Sequence, residues 1–127
     1  MRAYIDSDIL IWHLRGDTKA LLFLKELQEK KEYELWIGAL QRAEIVFFMR
    51  PEEEKNTLLL LSQFKTAPLD QAIVDAGGKL YRQWHPSHGL DINDALLAAT
   101  VKHAGGKIYC LNTKHYPMPE IVVEKPF

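Results

Sequence analysis

The sequence predicts a single α/β domain over residues 1–127, a three-layer sandwich with a central, mainly parallel sheet flanked by helices. Short β-compatible segments alternate with longer helical segments along the whole chain. This alternation favours parallel strands, because parallel neighbours need crossover connections. With 127 residues, 47% of them hydrophobic, the chain is long enough for one buried core and short for two.

In the N-terminal half, each predicted element has a local start or stop signal. The first strand runs into Asp6 and Asp8, which favour a turn and a helix start. Gly16 ends the first helix, and Pro51 ends the third. Leucines at positions 21, 24 and 27 mark the buried face of the second helix. The predicted elements are a strand over residues 2–5, helices over 9–14 and 19–31, a strand over 34–37 and a helix over 38–49.

The C-terminal half continues the alternation. Acids after Pro51 suit the first turn of a fourth helix, and we expect the leucine run 58–61 to form its core side. Gly105 and Gly106 stop the last helix. The remaining predicted elements are a strand over residues 65–69, a helix over 70–84, a loop over 85–89, a helix over 92–104, and strands over 107–111 and 121–123.

Composition excludes several classes of protein. The 16 lysines and arginines are balanced by 17 acids, giving a net charge of -1, so any polyanion must be bound by a local basic patch. A single cysteine, Cys110, excludes an internal disulfide and a cysteine-based zinc cluster and suits a reducing compartment. Apolar runs stay well below the roughly 18 residues of a membrane span. We therefore expect a cytoplasmic domain that does not enter a membrane.

Glu44 stands out among the acids. A helix over residues 39–49 places it on one face with three apolar side chains, those of Leu40, Phe47 and Phe48. An isolated buried carboxylate is costly, so this pattern indicates that Glu44 is neutralised, paired or bound to a cation. An ion pair with Arg42, or a side chain that reaches the rim, is the alternative.

Asp94 and Asp6 each allow two interpretations. Asp94 lies in the first turn of a helix, on its apolar face, while Asp91 before it predicts an N-cap that would make Asp94 part of a capping box. Asp6 follows the first strand, where a turn or cap residue is also common. Because ligands of parallel sheets bind beyond the carboxyl ends of the strands, we expect Asp6 and residues 112–115 to face the same crevice.

Convergence of the three acids favours a metal site. Carboxylates ~5 Å apart repel by roughly 3 kcal/mol per pair at an effective dielectric constant near 20, so an unliganded cluster is destabilising or partly protonated. A hard cation such as Mg²⁺ or Mn²⁺ removes this repulsion and prefers oxygen ligands.

His85 and His88 have a metal-compatible spacing but no clear third ligand. We expect the tryptophans, Trp12 among them, to pack in the core.

Four segments in this order resemble the PIN-domain family and, within it, VapC-type ribonuclease toxins. They cover nearly the whole chain. The segments are YIDSDILI at residues 4–11, AE at 43–44, DALLAAT at 94–100 and LNTKHY at 111–116.

This resemblance implies that Asp6, Glu44 and Asp94 are the catalytic acids and hold the metal. The family's fourth acidic position falls on Asn112, whose neutral side chain argues against a second tightly bound ion. Asp8 stands where many relatives have asparagine and supplies a compensating charge. The expected supporting residues are Ser7, Asp8, Asp91 and Asn112.

The activity implied by the resemblance is Mg²⁺- or Mn²⁺-dependent endonucleolytic hydrolysis of RNA, in which a metal-activated water attacks the phosphodiester in line. The resemblance also implies a homodimer and a cognate antitoxin whose chain enters the acidic pocket. Basic residues near the crevice must hold the RNA. We expect these to be Arg15, Lys19, Arg42 and Lys114.

Three alternatives remain at this stage. The pair Asp6 and Asp8 resembles the nucleophile and acid of haloacid-dehalogenase-like phosphatases, although later acids of that family are missing. A receiver-like domain would use Asp70 as its phosphorylated residue. An inactive PIN-like module that binds RNA or protein is the third alternative, suggested by Asn112.

Overall fold

A five-stranded, wholly parallel sheet forms the middle layer of the computed structural model, which describes all 127 residues. Its strands follow the spatial order β3-β2-β1-β4-β5. The predicted parallel α/β architecture is therefore confirmed. The strands are β1 (Arg2–Ile5), β2 (Glu34–Gly38), β3 (Lys65–Ala67), β4 (Lys107–Tyr109) and β5 (Val123–Glu124).

Six α-helices cover the two faces of the sheet. Because alternate residues of a strand point to opposite faces, Ala3 and Ile5 pack in one core and Tyr4 in the other. The first four helices pack on the Ile5 side, and the last two pack on the Tyr4 side. The helices are α1 (Ser7–Leu14), α2 (Thr18–Glu29), α3 (Ala39–Val46), α4 (Glu54–Leu61), α5 (Gln71–His88) and α6 (Ile92–Ala104). None of them is long and apolar enough to cross a bilayer.

The direction in which strands are added reverses between β1 and β4. Strands β2 and β3 extend the sheet on one side of β1, and β4 and β5 extend it on the other. Ile5 pairs with Tyr109, and the Asp6 amide donates to the Tyr109 carbonyl at 2.9 Å. This reversal opens a crevice at the carboxyl ends of β1 and β4.

Gly106 allows β4 to lie close against β1. Its φ of 111° is in the region that favours glycine, and a β-carbon there would overlap the Arg2 carbonyl oxygen. The glycine thus sets the start of the strand that leads to residues 110–116.

The predicted loop over residues 85–89 is wrong, because α5 continues to His88. Pro86 lies in the last turn; it lacks one helical N–H donor, and the helix continues for two more residues to His88. Gly89, with a φ of 65°, caps the helix by donating to the His85 carbonyl at 2.9 Å. The actual stop signal was therefore the glycine. Elsewhere, β4 ends two residues earlier than predicted and β5 starts two residues later.

The leucine patterns were only partly predictive of burial. In α2, Leu24 and Leu27 are buried while Leu21 is 42% exposed. In α4, Leu61 is buried but Leu59 is 64% exposed, so the prediction that the leucine run forms the core side is wrong. Consecutive helical residues point about 100° apart, so four in a row cannot share one face.

Candidate active site

Asp6 lies buried at the carboxyl end of β1 and has both of the roles considered for it. Its Oδ1 accepts a hydrogen bond from the Ser7 amide at 2.7 Å, which caps α1. Its Oδ2 accepts from the Tyr116 hydroxyl at 2.7 Å and so faces the crevice. The cap orients the carboxylate of Asp6 so that its second oxygen, Oδ2, faces the crevice.

Asp94 lies in the first turn of α6. The predicted N-cap is confirmed, since Asp91 Oδ1 accepts from the Asp94 amide at 2.8 Å. The Asp94 carboxylate does not complete a capping box. Its Oδ1 lies 3.1 Å from the Tyr116 hydroxyl and its Oδ2 lies 3.7 Å from His115 Nδ1. The acid therefore points into the crevice.

Tyr116 joins these two acids and was not among the predicted site residues. Its buried hydroxyl contacts Asp6 and Asp94, which come from the ends of different elements. A phenol has a single hydrogen, so it satisfies only one carboxylate at a time. The only sequence signal for Tyr116 was its place in the last family-like segment.

Glu44 does not lie in a buried apolar stripe, and that prediction is wrong. Phe47 and Phe48 are 79% and 81% exposed, because α3 ends at Val46 and the chain turns there. The buried face of α3 contains Gln41 and Ile45 instead. Glu44 is half-buried at the rim of the crevice.

Two neutral donors hold the Glu44 carboxylate, and no ion pair with Arg42 forms. Ser7 Oγ donates to Glu44 Oε2 at 2.8 Å, and Asn93 Nδ2 donates to Oε1 at 2.9 Å. Arg42 instead donates to Thr66 Oγ1 at 3.3 Å. Sequence reasoning missed Asn93, which has no pattern that distinguishes it from an ordinary first-turn polar residue.

Ser7 is the link between Glu44 and Asp6. Its hydroxyl, which donates to Glu44, also lies 3.4 Å from Asp6 Oδ1. The N-terminal turn of α6 is the link between Glu44 and Asp94, because Asn93 and Asp94 are adjacent. All three predicted acids are thus connected through hydroxyl or amide groups of neighbouring residues.

The two buried acids resist ionisation. Burial raises the pKa of Asp6 from the ordinary 3.8 to about 6, and the charge of Asp8 adds to the rise. Burial is also the main cause for Asp94, whose pKa is raised to about 7, with further contributions from the charges of Asp6 and Asp91. A positive charge in the crevice would favour the ionised form of both.

The donor set suits a hard cation, although it is not a ready-made chelate. No three acidic, histidine or cysteine side chains form a close cluster, because the Tyr116 hydroxyl lies between two of the acids and the Ser7 hydroxyl between another pair. Carboxylate and hydroxyl oxygens are the ligands that Mg²⁺ and Mn²⁺ prefer. His85 and His88 have other partners, the Leu90 carbonyl and the Ser87 hydroxyl.

Two of the predicted supporting residues, Asp8 and Asn112, differ in how near they lie to the acids. Asp8 is close to the acids: its Oδ2 accepts from the Leu111 amide at 2.9 Å, and its Oδ1 is buried without a partner. Asn112 is exposed, and its Oδ1 accepts from the Lys114 amide at 3.2 Å. Asn112 therefore caps a short turn, and His115 is the residue of this loop that approaches Asp94.

The four predicted RNA-binding residues are spread over the surface. Arg15 lines a cavity of about 290 Å³ together with Glu44. Lys19 lines a separate groove beside Trp12. Arg42 is half-buried against Thr66, and Lys114 is exposed. Arg15 thus shares a cavity with one of the three acids.

Trp12 corrects the prediction that the tryptophans are core residues. Its side chain is 45% exposed, whereas Trp36 and Trp84 are half-buried. Cys110 is a small buried side chain with no exposed surface.

The fold and the acids after β1, in α3 and in α6 define a PIN domain. The family model described as PIN domain matches residues 3–115, and the chain belongs to this family. Within it, the chain belongs with the VapC ribonucleases. It is 33% identical over 117 residues to "Ribonuclease VapC10" of Mycobacterium tuberculosis, covering 91% of this chain and 86% of that relative. It is 32% identical over 115 residues to "Ribonuclease VapC19" of the same species, covering 90% and 91%.

Solved structures share the fold over almost the whole chain. A "Toxin-antitoxin complex from Klebsiella pneumoniae" superposes with a TM-score of 0.80 at 23% identity, covering 98% of both chains. The VapBC2 complex of Rickettsia felis, bound to a promoter DNA fragment, superposes with a TM-score of 0.79 at 19% identity and the same coverage. At these identities the comparison shows the common fold.

Proposed function

We propose that this chain is a Mg²⁺- or Mn²⁺-dependent endoribonuclease and the toxin of a toxin–antitoxin pair. Family membership and the ribonuclease names of its relatives support the RNA-cleaving activity. The observation that carries the proposal is the crevice in which Asp6 and Asp94 face one hydroxyl, with Glu44 linked to Asp6 through Ser7.

In this proposal, Asp6, Glu44 and Asp94 hold the cation. When bound, it supplies Lewis-acid catalysis and lowers the pKa of a water molecule for attack on the phosphodiester. The chain's own contribution is orientation. Ser7 and Asn93 hold both oxygens of Glu44, and the α1 cap holds Asp6, so the ligand oxygens are preset by neutral donors. Hydrolysis of this kind does not need the 2′-hydroxyl as nucleophile.

RNA must be held by local cations, because the net charge is -1. Of the four predicted residues, Arg15 has the strongest support, since it lines the same cavity as Glu44. Lys19, Arg42 and Lys114 are proposed as further phosphate contacts outside this cavity.

The cavity beside Glu44 suits the antitoxin. Ile11, Leu14, Phe48 and Met49 make much of its wall apolar, and Glu44 provides a negative charge within it. An apolar segment of the antitoxin with one basic side chain would match this surface. The matching solved structures include toxin–antitoxin complexes, which supports a partner of this kind. A homodimer and a cytoplasmic location remain predictions.

The direct test is cleavage of single-stranded RNA by the wild-type chain with Mg²⁺ or Mn²⁺ and with EDTA. We expect cleavage that requires the metal and is lost in Asp94→Asn. Metal-independent cleavage would contradict the metal role. Absence of cleavage over a broad RNA panel would favour the inactive binding module. Family membership decides against the receiver-like and phosphatase-like alternatives.

A further inference from the structure

A groove of about 320 Å³ lies beside α1, next to the candidate active site. We call it the Trp12 groove. It is lined by Trp12, Asp17, Lys19, Leu111, Lys125 and Phe127. No step of the proposed hydrolysis requires it.

The groove combines partly exposed aromatic rings with unpaired cations; the Arg15 guanidinium lies 6.0 Å from the centroid of the Trp12 ring, and Phe127 packs edge-on against Phe23. Trp12 is 45% exposed and Phe127 is 41% exposed. Lys19 and Lys125 are exposed, and neither forms a salt bridge. The one acidic side chain, Asp17, caps α2 by accepting from the Ala20 amide at 2.9 Å, and the two lysines outnumber it in the lining. The groove thus places the aromatic rings of Trp12 and Phe127 beside the positive charges of two lysines.

The groove lies next to the crevice, and Leu111 and α1 connect the two. Leu111 lines the groove, and its amide donates to Asp8 at 2.9 Å. Asp8 and Trp12 lie on the same helix, α1, which Asp6 caps. At about 1.5 Å per residue, Trp12 lies roughly 9 Å along the helix from Asp6. A chain held at the acids would reach Trp12 within a few nucleotides.

We propose that the Trp12 groove binds single-stranded RNA beside the cleaved bond, with a base stacked on Trp12 and phosphates paired with Lys19 and Lys125. Binding of single strands uses this combination of a stacking aromatic and a positively charged track. The cavity beside Glu44 differs, since it contains two glutamates and one arginine. The charge of the Trp12 groove therefore favours a polyanion over an apolar peptide. The inference rests on the proposed ribonuclease function.

Binding is measured in EDTA, by fluorescence anisotropy of a labelled single-stranded RNA of mixed sequence, so that it does not depend on cleavage. We expect Trp12→Ala to weaken binding about 5- to 100-fold and Trp12→Phe to retain most of it, because stacking needs a ring. Lys19→Glu and Lys125→Glu should each weaken binding and reduce its salt dependence. Lys79→Glu is the matched control, since exposed Lys79 lies on α5, on the other face of the sheet.

Wild-type affinity in Trp12→Ala would overturn the inference. Absence of RNA binding by the wild-type chain would overturn it as well. Thermal unfolding of each variant separates loss of binding from loss of the fold. Failure of the ribonuclease proposal is distinguishable, because it would appear as absent cleavage with metal while binding in EDTA and its dependence on Trp12 persist.

Discussion

The Tyr116 hydroxyl donates a 2.7 Å hydrogen bond to Asp6 Oδ2 across 110 residues of sequence. The same hydroxyl lies 3.1 Å from Asp94 Oδ1. One hydroxyl therefore lies between two buried acids that repel each other when ionised, and it donates to one of them at a time. This relationship makes Tyr116 the contact on which the geometry of the metal-free crevice depends.

Replacing Tyr116 with phenylalanine is expected to lower the free energy of unfolding in EDTA by about 1–3 kcal/mol, because a buried carboxylate loses its donor. Urea unfolding at pH 8 measures this change. Tyr81→Phe is the control, since that hydroxyl makes no hydrogen bond and the change keeps the ring that stacks on His85 and packs against the core. A loss no larger than that of Tyr81→Phe would contradict the role of Tyr116.

Asp6→Asn and Asp94→Asn are each expected to reduce metal-dependent RNA cleavage at least about 100-fold while the fold is retained. Asparagine is as good an N-cap as aspartate, so the start of α1 should survive the first change. Cleavage assays and circular dichroism measure the two effects. Asp75→Asn, at an exposed position of α5, should cleave like the wild type. Full activity of both site variants would remove these acids from the mechanism.

The metal-free protein is expected to lose stability as pH rises from about 5 to 8. The folded-state pKa values of Asp6 and Asp94, about 6 and about 7, lie above the ordinary value of 3.8, so the folded protein binds more protons in this range. The contribution of these two acids is therefore largest at low pH and falls through their folded-state pKa values, by on the order of 4 kcal/mol between pH 5 and 8.

Urea unfolding in EDTA across this pH range measures the loss, and a repeat with Mg²⁺ should restore more stability at pH 8 than at pH 5. The variant Asp94→Asn should flatten the metal-free curve, since it lacks one of the two raised acids. Stability that rises with pH in the wild-type protein would refute the assignment.

Asn93→Ala is expected to weaken Mg²⁺ or Mn²⁺ binding about 10-fold or more, because it frees one oxygen of Glu44. Calorimetric titration with the metal measures the affinity, and thermal unfolding in EDTA checks the fold. Asn56→Ala, at an exposed site on α4, is the matched control. Unchanged metal affinity would show that Asn93 does not position Glu44.

Much of the fold was predictable because its signals are local. Alternation of strands and helices, the Asp91 cap and the stop at Gly105 each depend on a few neighbouring residues. The acids Asp6 and Asp94 were recognisable for the same reason, because Asp6 directly follows the first strand and Asp94 lies in the first turn of α6. Burial was less predictable: Phe47 looked like part of an apolar face, but α3 ended before it.

The sequence by itself determined the parallel α/β class, the family and the three candidate acids. Tertiary structure alone decided that Tyr116 joins Asp6 to Asp94, that Asn93 holds Glu44, and that Trp12 is exposed beside two lysines. The physical reason is the distance along the sequence over which each signal acts. Helix periodicity and caps act over a few residues, whereas these contacts depend on the order and register of strands that are far apart in the chain.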